Sequence, residues 1–125
     1  MASPEQQKQL QALSDEYTSL QNELQTTVAA RQKLESQQQE NKGVKSEFAN
    51  LDDDANIYKL VGPILLKQDV SEAKSTVDGR LEFIDKEINR IEKQISDIQA
   101  KSEEKKMAVF QLQTEIQQSG QPAAA

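Results

Sequence analysis

The 125-residue sequence contains no cysteine, no histidine and no tryptophan, and only five of its residues are Phe or Tyr. Without cysteine there are no disulfides and no thiolate chemistry. Without histidine there is no imidazole metal ligand, and the commonest general base is missing. No cofactor or metal site is expected, and an enzyme is the weakest reading of such a chain. Apolar residues make up 35% of it, too little for an ordinary compact core. A charged fraction of 29%, with apolar residues spaced singly, describes long helices that bury one narrow seam against another helix, so the expected shape is elongated.

The net charge is −6, and no block of Lys or Arg is long enough to follow a phosphate backbone, so nucleic acid is not an expected partner. No apolar stretch reaches signal-peptide or transmembrane length, and the one dense run is interrupted by Lys59, Gly62, Pro63 and Lys67. The expectation is a soluble, untargeted protein with no membrane partner.

Ser3-Pro4-Glu5-Gln6 reads as a helix start, with Ser3 as N-cap, Pro4 at the first helical position and Gln6 reaching back. Leu10, Leu13, Tyr17, Leu20 and Leu24 then alternate steps of three and four. The register runs on through Thr27, Arg31 and Leu34 to polar Gln38 and Asn41, and re-forms in shifted phase at Val44, Phe48 and Leu51. Helix 1 is expected over residues 4–51. Val77, Leu81, Ile84, Ile88, Ile91, Ile95 and Ile98 hold an unbroken alternation that recovers at Val109, Leu112 and Ile116. Asp69 and Glu72 supply its start, so helix 2 is expected over 70–118 and a frayed tail over 119–125.

Between them, over residues 56–69, lies Ile57-Tyr58-Lys59-Leu60-Val61-Gly62-Pro63-Ile64-Leu65-Leu66 with its flanks. β-Branched and large apolar residues on either side of Gly62-Pro63 predict a β-hairpin. A hairpin resting on one core should alternate apolar with polar, yet Leu60-Val61 and Ile64-Leu65-Leu66 are apolar on both faces. Both faces therefore want burial. The turn stands near the chain's midpoint, which leaves about 45 residues, or about 70 Å of helix, on each side. Antiparallel pairing about that midpoint gives partner numbers adding to about 125. A lone two-stranded hairpin is marginal in water, so an oligomer that pools hairpins into a sheet or barrel is the expected functional state.

Asp52-Asp53-Asp54 invites a calcium-loop reading, but Ile57 stands where the loop needs Gly and Pro63 where it needs Glu. A solvated connection fits better, and pairs such as Glu103-Glu104 read as surface charge. Leu10, Leu13, Val109, Phe110, Leu112 and Ile116 gather where both termini lie. Leu13, Val109 and Leu112 suit a seam, whereas Phe110 sits one place off it and suits loose contact with another chain.

Arg31-Gln32-Lys33-Leu34-Glu35, Glu40-Asn41 with Val44 and Glu47, and Tyr58-Lys59-Leu60-Val61-Gly62-Pro63 running into Leu65-Leu66-Lys67-Gln68 carry a resemblance. Glu72-Ala73, Val77, Arg80-Leu81, Ile84, Glu87-Ile88 and Arg90 extend it, so that it spans residues 5–118. The chain resembles the beta-type prefoldin subunits. The resemblance implies a mainly α fold, a long antiparallel helical hairpin (coiled coil) whose central β-hairpin joins an intersubunit β-barrel. It implies a cytoplasmic hexamer of two alpha-type and four beta-type subunits. This hexamer would hold unfolded chains such as actin and tubulin at coiled-coil tips and deliver them to the group II chaperonin without ATP. Substrate contact is then expected near Leu10, Leu13, Val109, Phe110, Leu112 and Ile116, and assembly on Ile57 to Leu66. The alternative is a structural or membrane-associated coiled-coil tether with an apolar docking hairpin, which Lys59 and Lys67 disfavour in hydrocarbon.

Overall fold

A computed structural model describes residues 2–52 and 54–120. Four elements follow one another: α1 (Pro4–Ala49), β1 (Ile57–Val61), β2 (Ile64–Gln68) and α2 (Val70–Gly120). Asp53 of the acidic run and residues 121–125 of the expected tail lie outside the described residues, while Ser119 and Gly120 belong to α2.

The start of α1 is a reciprocal cap. The Gln6 backbone N–H donates to Ser3 Oγ at 3.1 Å, and the Ser3 N–H donates to Gln6 Oε1 at 3.0 Å. Two donors that a helix start leaves without partners are thereby satisfied, and Pro4 occupies a position where no N–H is required. At the other end, the N–H groups of Asn50 and Leu51 bond the carbonyls of Glu47 and Phe48 at 3.2 Å, a tightened last turn. Leu51 thus falls beyond the helix and is exposed rather than continuing the seam. The Ala55 N–H donates to the Asp52 carbonyl at 2.9 Å and closes a turn in the connection. α2 starts at once after β2: the Asp69 carbonyl accepts from the Ala73 N–H at 2.9 Å, with Glu72 in the first turn where a carboxylate complements the helix dipole.

The strands pair antiparallel from Ile57 opposite Gln68 to Val61 opposite Ile64. Only Gly62 and Pro63 join them. Gly62 has φ +58°, and Pro63 must take a negative φ, the sign pattern of a II′ turn whose twist suits a hairpin.

The chain divides into two compact units. The hairpin unit, Ala30–Ile91, contains the β-hairpin with the adjoining parts of both helices, and the terminal unit combines Met1–Ala29 with Glu92–Ala125. In the hairpin unit the buried apolar side chains are Ala73, Val77, Leu81, Ile84, Ile88 and Ile91. Opposite them α1 offers half-buried Arg31, Leu34, Gln38, Asn41 and Phe48. Gln38 Nε2 donates to Asp85 Oδ1 at 2.6 Å, and Lys45 Nζ lies 3.0 Å from Asp78 Oδ1. In the terminal unit Ile98, Leu112 and Ser102 are buried against half-buried Leu10, Leu13, Tyr17, Leu20 and Leu24. There Lys105 Nζ lies 2.7 Å from Glu16 Oε2, and Gln21 Nε2 donates to Ser102 Oγ.

In both units α2 supplies the deeply buried side chains, and α1 has none among the described residues. Each buried Ile contributes roughly 1.5–3 kcal/mol, so the α2 seam is the main source of helix-pair stability.

The cross-helix pairs also correct the register. Their partner numbers add to 121 and 123 in the terminal unit and to 123 in the hairpin unit, not to about 125. Residues 50–56 connect α1 to β1, whereas Asp69 alone connects β2 to α2, so symmetry about the turn does not extend to the helices. Glu16 stands at the level of Lys105, and Asn41 lines one recess with Arg80 and Ile84.

Gly62→Ala is expected to lower stability by about 1–2 kcal/mol, because an alanine is strained at positive φ even though nothing crowds the site. Denaturant unfolding followed by circular dichroism measures the change; an unchanged midpoint would show that the turn relaxes.

Candidate functional site

Side chains alternate across a strand pair, so the observed register sorts the hairpin into two faces. One carries Ile57, Lys59 and Val61 with Ile64, Leu66 and Gln68, and the other carries Tyr58 and Leu60 with Leu65 and Lys67. Leu60 and Leu65 stand directly opposite each other and are 69% and 64% exposed. Tyr58, Val61, Ile64 and Leu66 are exposed too, as are Gly62 and Pro63 at the turn. Only Ile57 and Gln68 are half-buried, at the end of the hairpin nearest the helices. Ile57 lines a recess of about 340 Å³ there, with Val44, Phe48 and Val77. The apolar residues read as the assembly hairpin therefore lie together, on both faces, and are uncovered within the chain.

The six residues read as client contacts do not share one environment. Leu10, Leu13, Val109 and Ile116 are half-buried, Leu112 is only 6% exposed, and Phe110 is 66% exposed. Leu112 belongs to the packed seam, whereas Phe110 points away from it. Met107, three residues before Phe110 on α2, is exposed as well, and that spacing places the two on one face. The heptad reading passed over Met107. It also passed over Phe83, an exposed aromatic beside the seam residue Ile84 in the hairpin unit. Both stand off the seam, which is the signal that singled out Phe110.

Charge on these surfaces is arranged in local pairs. Arg90 donates to Glu87 through Nε at 3.3 Å and Nη2 at 2.8 Å, which lowers the Glu87 pKa and raises that of Arg90. The hydrogen bond and charge of Glu16 raise the Lys105 pKa. Arg31 bonds Glu35 one turn on along α1. Among the described residues no group of three acidic side chains is placed to hold a metal ion, and no helix is long and apolar enough to cross a membrane.

Residues 11–118 match the prefoldin subunit family. The chain belongs to the prefoldin family. It is 43% identical over 113 residues to prefoldin subunit 6 of Mus musculus, an alignment covering 90% of this chain and 89% of the mouse protein. With prefoldin subunit 6 of Saccharomyces cerevisiae the identity is 46% over 108 residues, covering 86% and 95% of the two chains. In three dimensions it is similar to the crystal structure of the prefoldin beta subunit from Thermococcus strain KS-1. The TM-score is 0.70 at 28% identity, over 91% of this chain and 94% of that one. The mainly α architecture with a central antiparallel β-hairpin is thus the prefoldin beta fold. Prefoldin is a chaperone family, not an enzyme family, and its subunits form hetero-oligomeric complexes with one another. Nothing in these relatives favours the tether or membrane-docking alternative.

The Lys105–Glu16 pair gives a signed pH dependence. A lysine whose folded pKa is raised contributes stability that is fully present below its unfolded pKa, about 10.4, and is lost as pH rises through the folded value. The difference in thermal midpoint between the wild type and Lys105→Gln should therefore be constant through neutral pH and close in the alkaline range. A difference that persists above the folded pKa would mean that the lysine acts by packing.

Proposed function

We propose that this prefoldin chain works in the cytoplasm as a beta-type subunit of an ATP-independent holdase. In this reading it assembles with alpha- and beta-type subunits through the Ile57 to Leu66 hairpin. It captures unfolded polypeptides of the actin and tubulin class at the terminal unit and passes them to the group II chaperonin. The observation that carries the reading is the hairpin itself: two strands of five residues with large apolar side chains exposed on both faces, in a chain of a family whose members assemble.

Two unpaired strand edges and two uncovered faces are relieved together when hairpins of several subunits join. The helices then remain free to present the terminal unit. Exposed Phe110 and Met107 suit contact with a non-native chain, with Leu10, Leu13, Val109 and Ile116 beside them and Leu112 holding the seam. Each such contact is weak on its own. Several subunits displaying them around one client hold it by avidity, while every single contact stays quick to release. The acidic balance of the chain, −6 overall, keeps free complexes apart.

Two measurements test this. A complex whose copy of this chain lacks the first fifteen and last eighteen residues should still assemble, yet suppress aggregation of an unfolded client several-fold less well; unchanged suppression would remove the client role from the terminal unit. The double variant Leu60→Asp, Leu65→Asp should keep its helix content but fail to enter the hetero-oligomer, as read by native mass spectrometry. Its normal incorporation would remove the assembly role from the hairpin.

A further inference from the structure

The two flanks of the helix pair in the hairpin unit are unlike. On one, Gln38 bonds Asp85 and Lys45 bonds Asp78, so polar ties cross from helix to helix. On the other, a recess that reaches Ile57, Tyr58 and Lys59 of the hairpin and a second recess beside Phe83 share Thr76 and Arg80 in their walls. The two recesses are therefore one groove, running from the hairpin past Val44 to Phe83. Its exposed large apolar residues are Tyr58, Val44 and Phe83, the last 63% exposed. Gly79, four residues before Phe83, faces open space, so the ring has a low shelf next to it on the helix surface.

We propose that this open flank, centred on Phe83, is a second docking surface for the neighbouring prefoldin subunit, continuous with the hairpin. The inference rests on the reading that the hairpin mediates assembly, and area favours it. Six large residues of the hairpin stand about half to two-thirds exposed. At roughly 100 Å² each they offer about 600 Å² of apolar side-chain area, beside the roughly 800 Å² of total surface that a stable interface buries on each partner. Two strand edges divide that area between two neighbours, so neither contact is sufficient alone. A neighbour whose hairpin pairs beside β1 is brought alongside the groove, which adds the missing area without a further element. The surface it presents there carries apolar side chains for Val44 and Phe83 and a carboxylate for Arg80, on the flank opposite the Gln38–Asp85 and Lys45–Asp78 ties.

The test uses the assembled hetero-oligomer with no client or chaperonin added. A photoreactive benzoylphenylalanine replacing Phe83 should cross-link to another prefoldin subunit. The absence of any cross-link to another subunit in that sample would overturn the proposal, as would a cross-link that forms only in a parallel sample supplied with unfolded client or chaperonin. Phe83→Glu should keep the helix content and raise the concentration at which the complex dissociates at least tenfold; an unchanged dissociation profile would also overturn it. The Leu60→Asp, Leu65→Asp variant separates the two ideas, because its failure to assemble upholds the hairpin reading whatever Phe83 does. Normal assembly of that variant together with a subunit cross-link at position 83 would instead leave the flank as the principal interface.

Discussion

A pair of five-residue strands cannot finish itself. Its inner hydrogen bonds are made, but both outer edges keep unpaired backbone groups and both faces keep their side chains. In most small sheets one face rests on a core and the other is polar. Here Leu60 and Leu65 lie on one face and Val61, Ile64 and Leu66 on the other, and of the strand residues only Ile57 and Gln68 are half-buried. Everything else in the chain is organised around leaving that hairpin available: a turn held by Gly62, a single residue before α2, and a helix pair that stabilises itself without drawing on the strands.

That helix pair is unequal. α2 supplies an aliphatic seam of Val, Leu and Ile, and α1 meets it with side chains that are only half-buried, several of them polar. An unequal seam is weaker than two matched apolar ones, since Gln38, Asn41 and Arg31 cannot replace the transfer energy of leucines. It is also more soluble when exposed. In the proposed holdase role this matters, because a fully apolar α1 would itself invite association along its length.

Much of this was legible in the residues. Ser3, Pro4 and Gln6 announced their cap, Gly62-Pro63 announced the turn, and the absence of alternation from Leu60 to Leu66 announced apolar side chains that the strand pair shows on both faces. The resemblance of Tyr58 to Gln68 to beta-type prefoldins pointed to the family. Two things were not legible. The helix register depends on how many residues each connection uses, and the difference between residues 50–56 and Asp69 has no periodic signature. Phe83 and Met107 were hidden by the success of the heptad pattern, which explains the seam so well that off-seam apolar residues look like noise. Leu112, which suited the seam as well as the contact group, is packed in the seam.

Among the described residues Ser102 is the one polar side chain buried in the α2 seam, and its hydroxyl accepts from Gln21. Leucine in its place would add apolar burial, so the serine costs stability and needs another explanation. Sliding α1 by one heptad would bring Ser14 or Val28 to the place of Gln21, and with Val28 there the hydroxyl loses its cross-helix partner, at about 1–3 kcal/mol. A repeat of threes and fours is otherwise tolerant of such slips, as a ratchet without teeth is. The serine acts as a tooth: it makes one alignment of the helices cheaper than its neighbours, in the way a lone buried asparagine selects a coiled-coil register.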